Sequence, residues 1–165
     1  MKIEDNFLSD VDFNELYNHI NNPYFPWYFY SKTFEDNYKD FEFQHTHIAF
    51  DHLKGGENGN TLKLFQPLLD KLNIKNLLRV KVNSNTQTQK LIKYKLHIDQ
   101  LDFLNSKTSI FYLNTNNGYT YFKDNTKVKS LKNRLITFDT NTLHSGTNCT
   151  DIPRRLLVNI NYETN

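Results

Sequence analysis

The sequence has 165 residues, a formal net charge of +2 and a single cysteine, Cys149. Its lysines are spread along the chain without a long basic block, which argues against a nucleic-acid-binding protein, and one thiol cannot form an intrachain disulfide. The acidic start and the short apolar runs match neither a signal peptide nor a membrane span. We therefore expect a cytoplasmic protein with no membrane partner, with Cys149 inert and residues 1–165 forming one domain.

Residues 1–75 predict a helical support and an aromatic segment. Residues 9–21 predict a helix, because Ser9 can cap it and apolar side chains recur at helical spacing. A second helix is predicted over Thr61–Leu72, kinked or restarted at Pro67. Both helices are expected to pack outside the core of the domain.

Two segments between these helices are candidates for a lid. Tyr24–Tyr30 is mostly aromatic and contains Pro26, which predicts an extended, half-buried segment that belongs to the core or closes over a site. Gly55–Asn60 predicts a loop, and a mobile flap is the alternative.

From residue 76 onward the apolar period changes from helical to alternating. Strands are predicted over Leu77–Val82, Tyr94–Asp99, Thr108–Asn114, Thr120–Phe122, Arg134–Phe138 and Leu156–Tyr162. Helices followed by closely spaced strands predict a mainly β (α+β) jelly roll with its core in residues 76–165. The lysine-rich stretches 71–81 and 127–134 are interpreted as solvent-exposed faces.

Three residues form a candidate metal site. Alternation along a strand directs His97 and Asp99 to the same side, with Ile98 facing away. His144 follows an apolar strand and can supply a third ligand. Two histidines and one carboxylate on one face of a metal leave positions open for further ligands, as in non-haem iron(II) oxygenases.

Arg155 is the candidate carboxylate clamp. It opens the last predicted strand, and a guanidinium can bind a carboxylate through two hydrogen bonds. Arg154 is the alternative clamp, but strand alternation lets only one of two adjacent side chains point inward. We expect Arg155 inside, and Arg154 at the outer edge beside an acid such as Asp151.

A second metal site is conceivable at His45, His47 and His52. No carboxylate or further ligand is fixed there by spacing. A structural role for these histidines is therefore favoured.

The span 77–162 resembles the 2-oxoglutarate/iron(II) dioxygenase superfamily, in its prolyl-hydroxylase-like branch, and is similar to small oxygenases of phages and marine bacteria. The ordered set His-x-Asp, His and Arg carries the resemblance, together with three segments. These are Thr108–Asn114, Asn133–Phe138 and His144–Thr147. The resemblance implies a double-stranded β-helix (jelly roll, cupin-like) in a bacterial or phage-infected host cell.

The resemblance also implies the roles of the candidate residues. Iron(II) would be bound by His97, Asp99 and His144, and 2-oxoglutarate by Arg155 and Tyr112. Dioxygen would be the oxidant and ascorbate a possible additional reductant. The implied reaction hydroxylates an unactivated C–H bond of a protein or peptide side chain and releases succinate and carbon dioxide.

Two departures from the family pattern concern the rim and the co-substrate pocket. Asn117–Thr120 stands where the family usually has a Gly-Gly pair, and Val82–Asn85 stands where it usually has a tyrosine. Two alternatives therefore stay open. In the first, the same chemistry acts on a nucleobase or small metabolite, although no further arginine follows Arg155 as it does in nucleic-acid demethylases. In the second, the chain is a non-catalytic jelly-roll binding or structural module.

Overall fold

The computed structural model describes residues 1–30, 43–58, 60–99 and 105–164. Within these ranges, the first strands and helices in chain order are β1 (Lys2–Glu4), α1 (Asp10–Ile20), β2 (Tyr28–Tyr30), β3 (Gln44–Asp51), β4 (Gly56–Glu57) and α2 (Gln66–Leu69). They are followed by β5 (Asn76–Thr86), β6 (Ser106–Tyr112), β7 (Tyr119–Phe122), β8 (Lys127–Lys129), β9 (Arg134–Asp139), β10 (His144–Gly146) and β11 (Arg154–Glu163).

Two antiparallel sheets form the body of the described part of the chain. The larger sheet has the strand order β1-β9-β6-β11-β5-β3-β2, with β4 on β3, and the smaller sheet has the order β10-β7-β8. Residues of the smaller sheet pack against one face of the larger sheet through Phe122 and Val128, which join a cluster with Ile110 and Leu157. This arrangement confirms the predicted double-stranded β-helix.

Helix α1 covers the other face of the larger sheet. The Ser9 hydroxyl accepts a hydrogen bond from the Asp12 backbone N–H at 3.1 Å and caps the helix. Phe13, Leu16 and Ile20 are buried against the sheet and share one apolar cluster with its strands. The helix predicted over residues 9–21 and its position outside the jelly roll are therefore confirmed.

The second predicted helix, Thr61–Leu72, is shorter than expected. A 3₁₀ turn covers Leu62–Phe65, and α2 then occupies only Gln66–Leu69, with Pro67 in its first turn. A proline has no backbone N–H to donate, so the α-helical bonding pattern begins at the proline rather than passing through it.

The predicted strand Tyr94–Asp99 is wrong as a regular strand. In the described structure this segment is bridged at single points: His97 pairs with His144, and Lys93, just before the segment, pairs with Thr147. Its neighbour β10 is three residues long, too short to support a continuous ladder of hydrogen bonds. The bridge at His97 nevertheless fixes the point on which the candidate site depends.

The aromatic segment divides between core and surface. Phe25 is buried, whereas Tyr24 and all three residues of β2 are exposed. In the Gly55–Asn60 loop, Gly55 and Gly56 have positive φ angles, and Gly59 lies outside the described residues. Among the helices of the described ranges, none is long and apolar enough to cross a membrane.

Candidate metal and anion site

The fold brings His97, Asp99 and His144 together. One ligand atom from each lies within 4.8 Å of the others, and no other such group of three occurs among the described residues. His97 Nε2 lies 3.5 Å from Asp99 Oδ1, and His144 Nε2 lies 3.7 Å from Asp99 Oδ2. These separations leave room between the three side chains for one metal ion.

The backbone holds the two imidazoles in the orientation that a metal requires. His97 and His144 exchange both backbone hydrogen bonds, at 2.9 and 3.1 Å. Their Nδ1 atoms face the carbonyl oxygens of Lys95 and Thr142 at 3.1 and 2.9 Å. A proton on each Nδ1 gives the tautomer of a metal-binding histidine, in which Nε2 can bind a metal ion. In the structure, which contains no metal, Nε2 of His97 faces Asp99 as a hydrogen-bond donor.

Four side chains orient Asp99. Its Oδ2 accepts hydrogen bonds from the amides of Asn159 at 2.9 Å and Asn161 at 3.1 Å. Its Oδ1 lies 3.2 Å from Arg79 Nη2, while the Thr108 hydroxyl approaches Oδ2 at 3.5 Å. The carboxylate is thereby fixed in position by neighbours that are not themselves candidate ligands.

The same contacts keep Asp99 ionised. Burial alone would raise the pKa of its carboxyl, but the hydrogen bond with His97 and the charge of Arg79 hold that pKa well below its usual range. Burial lowers the pKa of His144, which favours the neutral imidazole. Both groups are thus in the protonation state that binds a cation.

A cavity of about 180 Å³ connects this cluster to Arg155. The Arg155 side chain is 1 % exposed, and it donates hydrogen bonds to Ser130 Oγ at 3.3 Å, the Thr147 carbonyl at 3.1 Å and Thr120 Oγ1 at 3.2 Å. Every one of these acceptors is neutral. Within the described ranges no carboxylate pairs with this guanidinium, and burial lowers its pKa.

Tyr112 lies beside Arg155. Its hydroxyl donates a hydrogen bond to Thr120 Oγ1 at 2.7 Å, and the Arg155 guanidinium lies 5.4 Å from the centre of its ring. Burial raises the pKa of Tyr112, so the hydroxyl stays protonated. Arg155 and Tyr112 thus share Thr120 as a partner at the end of the cavity away from Asp99.

Two glycines form the slot that holds Arg155. A Cβ atom at Gly146 would lie 2.9 Å from Arg155 Nη1, and one at Gly118 would lie 2.7 Å from Arg155 Cδ. Either side chain would therefore displace the arginine. Gly118 belongs to the segment 117–120, where the sequence departs from its resembling family, yet the chain keeps a glycine at the point of close approach.

Arg154 points away from the cavity. Its Nη2 donates a hydrogen bond to Asn21 Oδ1 at 2.8 Å, and its guanidinium lies 5.7 Å from the Trp27 ring. The expected partner, Asp151, instead accepts a hydrogen bond from the Asn117 backbone N–H at 2.9 Å. The anticipated Arg154–Asp151 pairing is therefore wrong, because α1 brings Asn21 closer to the strand edge.

The remaining candidates have structural partners. The two ring nitrogens of His47 contact the Pro26 carbonyl at 3.1 Å and Thr61 Oγ1 at 2.9 Å, while the His45 ring packs on Phe29. Cys149 is buried, and its thiol donates a hydrogen bond to the Ile152 carbonyl at 3.3 Å.

Sequence reasoning missed the polar wall of the cavity. The lysine-rich composition predicts that Arg79 and Lys81 face solvent, but both line the cavity, as do Asn83, Asn85 and Asn159. The available signal was the alternation of polar residues within an apolar strand, at positions 79, 81, 83 and 85 of β5. The lysine-rich composition of residues 71–81 obscured that alternation.

Comparison with known proteins identifies the fold. No protein-family model and no curated protein matches the sequence. Among solved structures, the viral collagen prolyl hydroxylase vCPH from Paramecium Bursaria Chlorella virus-1, in its 2OG complex, matches at a TM-score of 0.60 and 16% identity, covering 99% of this chain and 96% of that chain.

Two further structures match over nearly the whole chain. A prolyl hydroxylase from Trichoplax adhaerens, in complex with a hypoxia inducible factor peptide fragment, matches at a TM-score of 0.64 and 18% identity, over 98% of this chain and 82% of that chain. The non-heme alpha ketoglutarate dependent epimerase SnoN from nogalamycin biosynthesis matches at a TM-score of 0.65 and 13% identity, over 98% of this chain and 75% of that chain. The fold of this chain is therefore the one shared by 2-oxoglutarate-dependent oxygenases of the prolyl-hydroxylase type, as the sequence resemblance predicted.

Proposed function

We propose that this protein is a 2-oxoglutarate- and iron(II)-dependent dioxygenase that hydroxylates an unactivated C–H bond. The observation that carries the proposal is the content of one cavity. A His/Asp/His cluster lies at one end, and at the other lies a buried arginine that has no anionic partner among the described residues. A metal ion and a dicarboxylate would supply the charges that complete both ends.

The donor set fits iron(II). His97, Asp99 and His144 would hold the metal through two neutral imidazole nitrogens and one carboxylate oxygen, which leaves positions open for other ligands. Bound iron would supply the activation of dioxygen. Asn159 and Asn161 hold Asp99 at a fixed angle, and the neighbouring backbone bridge keeps the two imidazoles 4.8 Å apart, centre to centre.

The other end fits 2-oxoglutarate. Arg155 would bind the 5-carboxylate, because its guanidinium has only neutral acceptors among the described residues. The Tyr112 hydroxyl, which donates to Thr120 in this structure, would donate its hydrogen bond to that carboxylate instead. The Ser145 hydroxyl and the Asn85 side-chain oxygen line the cavity, are buried and have no hydrogen-bond partner among the described residues. Buried polar groups of this kind are normally satisfied, which supports a polar ligand in this space.

A protein or peptide side chain is the substrate that we favour. The two prolyl hydroxylases among the structural neighbours are named for collagen and for a hypoxia inducible factor peptide. The neighbour SnoN is named for nogalamycin biosynthesis, so a small metabolite is the competing substrate on the same fold. The charge pattern of the sequence disfavours nucleic acid.

Succinate release tests the proposal. Purified protein with iron(II), ascorbate and dioxygen should convert 2-oxoglutarate to succinate slowly without substrate and faster with an accepted peptide. The matched controls are Asp99→Asn in the cluster and Asp139→Asn on the surface, where Asp139 pairs only with Lys107 among described residues. Iron bound without 2-oxoglutarate binding or succinate would instead support the non-catalytic jelly-roll module.

A further inference from the structure

Arg79 lies against the carboxylate of the His/Asp/His cluster. Its Nη2 atom is 3.2 Å from Asp99 Oδ1, and its Nε–H donates a hydrogen bond to Asn161 Oδ1 at 3.0 Å. Asn161 is its cross-strand neighbour on β11 and in turn donates a hydrogen bond to Asp99 Oδ2 at 3.1 Å. The guanidinium is therefore held beside Asp99 by two contacts, one direct and one through Asn161.

The two oxygens of Asp99 have different partners. Oδ2 accepts hydrogen bonds from the amides of Asn159 and Asn161, which use the roughly two lone pairs that one carboxylate oxygen offers. Oδ1 has Arg79 Nη2 and His97 Nε2 as its neighbours, at 3.2 and 3.5 Å. A metal ion bound to His97 Nε2 takes the place of the proton that Nε2 directs at Oδ1. The oxygen available to the metal is therefore Oδ1, which also contacts Arg79.

Arg79 adds charge to this oxygen more than it adds orientation. The amides of Asn159 and Asn161 and the Thr108 hydroxyl already hold the other oxygen of Asp99, at 2.9, 3.1 and 3.5 Å. The Arg79 side chain is 19% exposed, so water screens its charge incompletely. The guanidinium therefore repels an arriving dication and withdraws electron density from the carboxylate that would bind it.

The charge balance of the cluster shows what this means for a second ligand. Asp99 is the only anionic group among the three candidate ligands. When only these ligands and Arg79 are counted, the guanidinium cancels that negative charge, and a bound dication keeps a net charge of about +2 instead of about +1. An anion that binds next to the metal is attracted more strongly by the larger charge.

We propose that Arg79 weakens the binding of the metal ion itself and strengthens the binding of an anionic co-substrate to the metal-loaded site. Arg79 is in this role a positioning residue, because it acts through Asp99 and takes no part in the chemical step. The inference rests on the proposed oxygenase function for the identity of the co-substrate, 2-oxoglutarate. Its first half, on metal affinity, does not depend on that function.

The test compares two binding equilibria in the absence of dioxygen, so that no turnover occurs. Binding of manganese(II) is measured from the electron paramagnetic resonance signal of the free ion. Binding of 2-oxoglutarate to the manganese-saturated protein is measured by isothermal titration calorimetry. Thermal unfolding monitors the folding of every variant.

The variants separate the charge of Arg79 from its hydrogen bonds. Arg79→Gln removes the charge and keeps an N–H donor, whereas Arg79→Lys keeps the charge. Arg79→Met is a second uncharged variant, which keeps the test possible if Gln at this position disturbs folding. Lys63→Gln makes the same change in net charge at an exposed position.

We expect the uncharged variants to bind manganese(II) at least about tenfold more tightly, because a charge at this range in a partly buried site changes an equilibrium constant by about an order of magnitude or more. The same variants should bind 2-oxoglutarate about 3–10-fold more weakly, since the net charge of the loaded site is smaller. Arg79→Lys and Lys63→Gln should resemble the unsubstituted protein. Opposite changes in the two affinities are the signature of charge, because a disturbed site would lose both.

Three results would overturn the proposal. Weaker or unchanged manganese binding in the uncharged variants would show that Arg79 only holds Asp99 in place. An equal gain in Lys63→Gln would assign the effect to the net charge of the whole protein. Tighter manganese binding without weaker 2-oxoglutarate binding would overturn the half that concerns the co-substrate.

These outcomes are separate from the failure of the proposed function. A protein that forms no succinate, but whose Arg79→Gln variant binds manganese(II) more tightly, would keep the charge-tuned metal site and lose the oxygenase assignment. An active oxygenase whose Arg79→Gln variant binds manganese(II) more weakly would keep its proposed chemistry and lose the proposed role of Arg79.

Discussion

Two arginines on neighbouring strands mark opposite ends of the cavity, and their surroundings differ. Arg79 on β5 forms an ion pair with Asp99, at 3.2 Å from Nη2 to Oδ1, and its ε-nitrogen donates a hydrogen bond to Asn161. Arg155 on β11 is more deeply buried, yet its acceptors are two hydroxyls and one carbonyl. Within the described ranges, the Arg79 end of the cavity thus contains a carboxylate and the Arg155 end does not.

The difference separates an arginine that is paired with a carboxylate of the chain from one that has only neutral acceptors among the described residues. Burying a charge without a counter-charge is costly, and the cost is lowest when the missing partner arrives as a ligand. The position of Arg79 orients a carboxylate that belongs to the chain, whereas the position of Arg155 suits a carboxylate that does not. Four substitutions examine this contrast, in order of decreasing effect.

Asp99→Asn removes the carboxylate from the end of the cavity that holds Arg79 and the two histidines. We expect loss of bound iron and a fall in succinate formation of at least about 100-fold, since even residues that only orient metal ligands contribute about 10–100-fold. Iron content per chain and succinate release measure the effect, with Asp139→Asn as the surface control and thermal unfolding as the test of folding. Full iron content in Asp99→Asn would show that the cluster is not the metal site.

Arg155→Gln removes the unpaired cation from the other end. The concentration of 2-oxoglutarate needed for half-maximal succinate formation should rise by about 10–100-fold, because a charge-assisted hydrogen bond contributes roughly 1.5–3 kcal/mol. Iron content should not change. Arg154→Gln is the matched control and should behave like the unsubstituted protein. If Arg154→Gln raised the 2-oxoglutarate requirement and Arg155→Gln did not, Arg154 and not Arg155 would be the residue that binds the co-substrate.

Tyr112→Phe removes one hydroxyl from the end of the cavity that holds Arg155. The loss of one neutral hydrogen bond, about 0.5–1.5 kcal/mol, should raise the 2-oxoglutarate requirement by about 2–10-fold. The control is Tyr119→Phe on β7, whose ring packs against Lys127. An unchanged requirement would mean that Tyr112 contributes packing alone.

Lys81→Met should stabilise the protein. The folded chain lowers the pKa of Lys81 from 10.5 to about 8, so between these pH values the unfolded chain binds more protons and folding stability rises with pH. At pH 7 we expect the variant to melt about 2–4 °C higher, as a change of about 1 kcal/mol produces in a domain of this size. The difference should shrink as the pH rises from 8 toward 10.5. Thermal unfolding at pH 7 and pH 10 measures it, with Lys63→Met as the control, and a variant that melts lower at pH 7 would contradict it.

The fold and the geometry of the His/Asp/His cluster could be predicted from capping residues, apolar spacing and strand alternation, which are visible in the sequence. Helix α1 has a capping serine and a regular apolar spacing, and the strands alternate, so both could be predicted. The placement of His97 and Asp99 follows from their i, i+2 spacing even though the segment is bridged at single points and not in a strand. The roles of these residues and of Arg155 stay predictions until the measurements above are made.

The polar wall could not be predicted with the same rules. Asn159 and Asn161 alternate with apolar residues in β11, but nothing in that strand says that the cavity side is the polar one. Their function depends on Asp99, which is sixty residues distant in sequence and reaches them only in the folded sheet. Lys81 has the same difficulty, since a lysine in a lysine-rich stretch is usually solvated.

The position of β11 has a consequence for how the protein is made. This strand is the last in chain order among the described elements, and it pairs with both β5 and β6 in the middle of the larger sheet. During synthesis the sheet must therefore wait as two unjoined halves, with strand edges exposed, until residues 154–163 leave the ribosome. Because the same strand carries Arg155, the end of the cavity that holds this arginine is assembled in the step that closes the sheet.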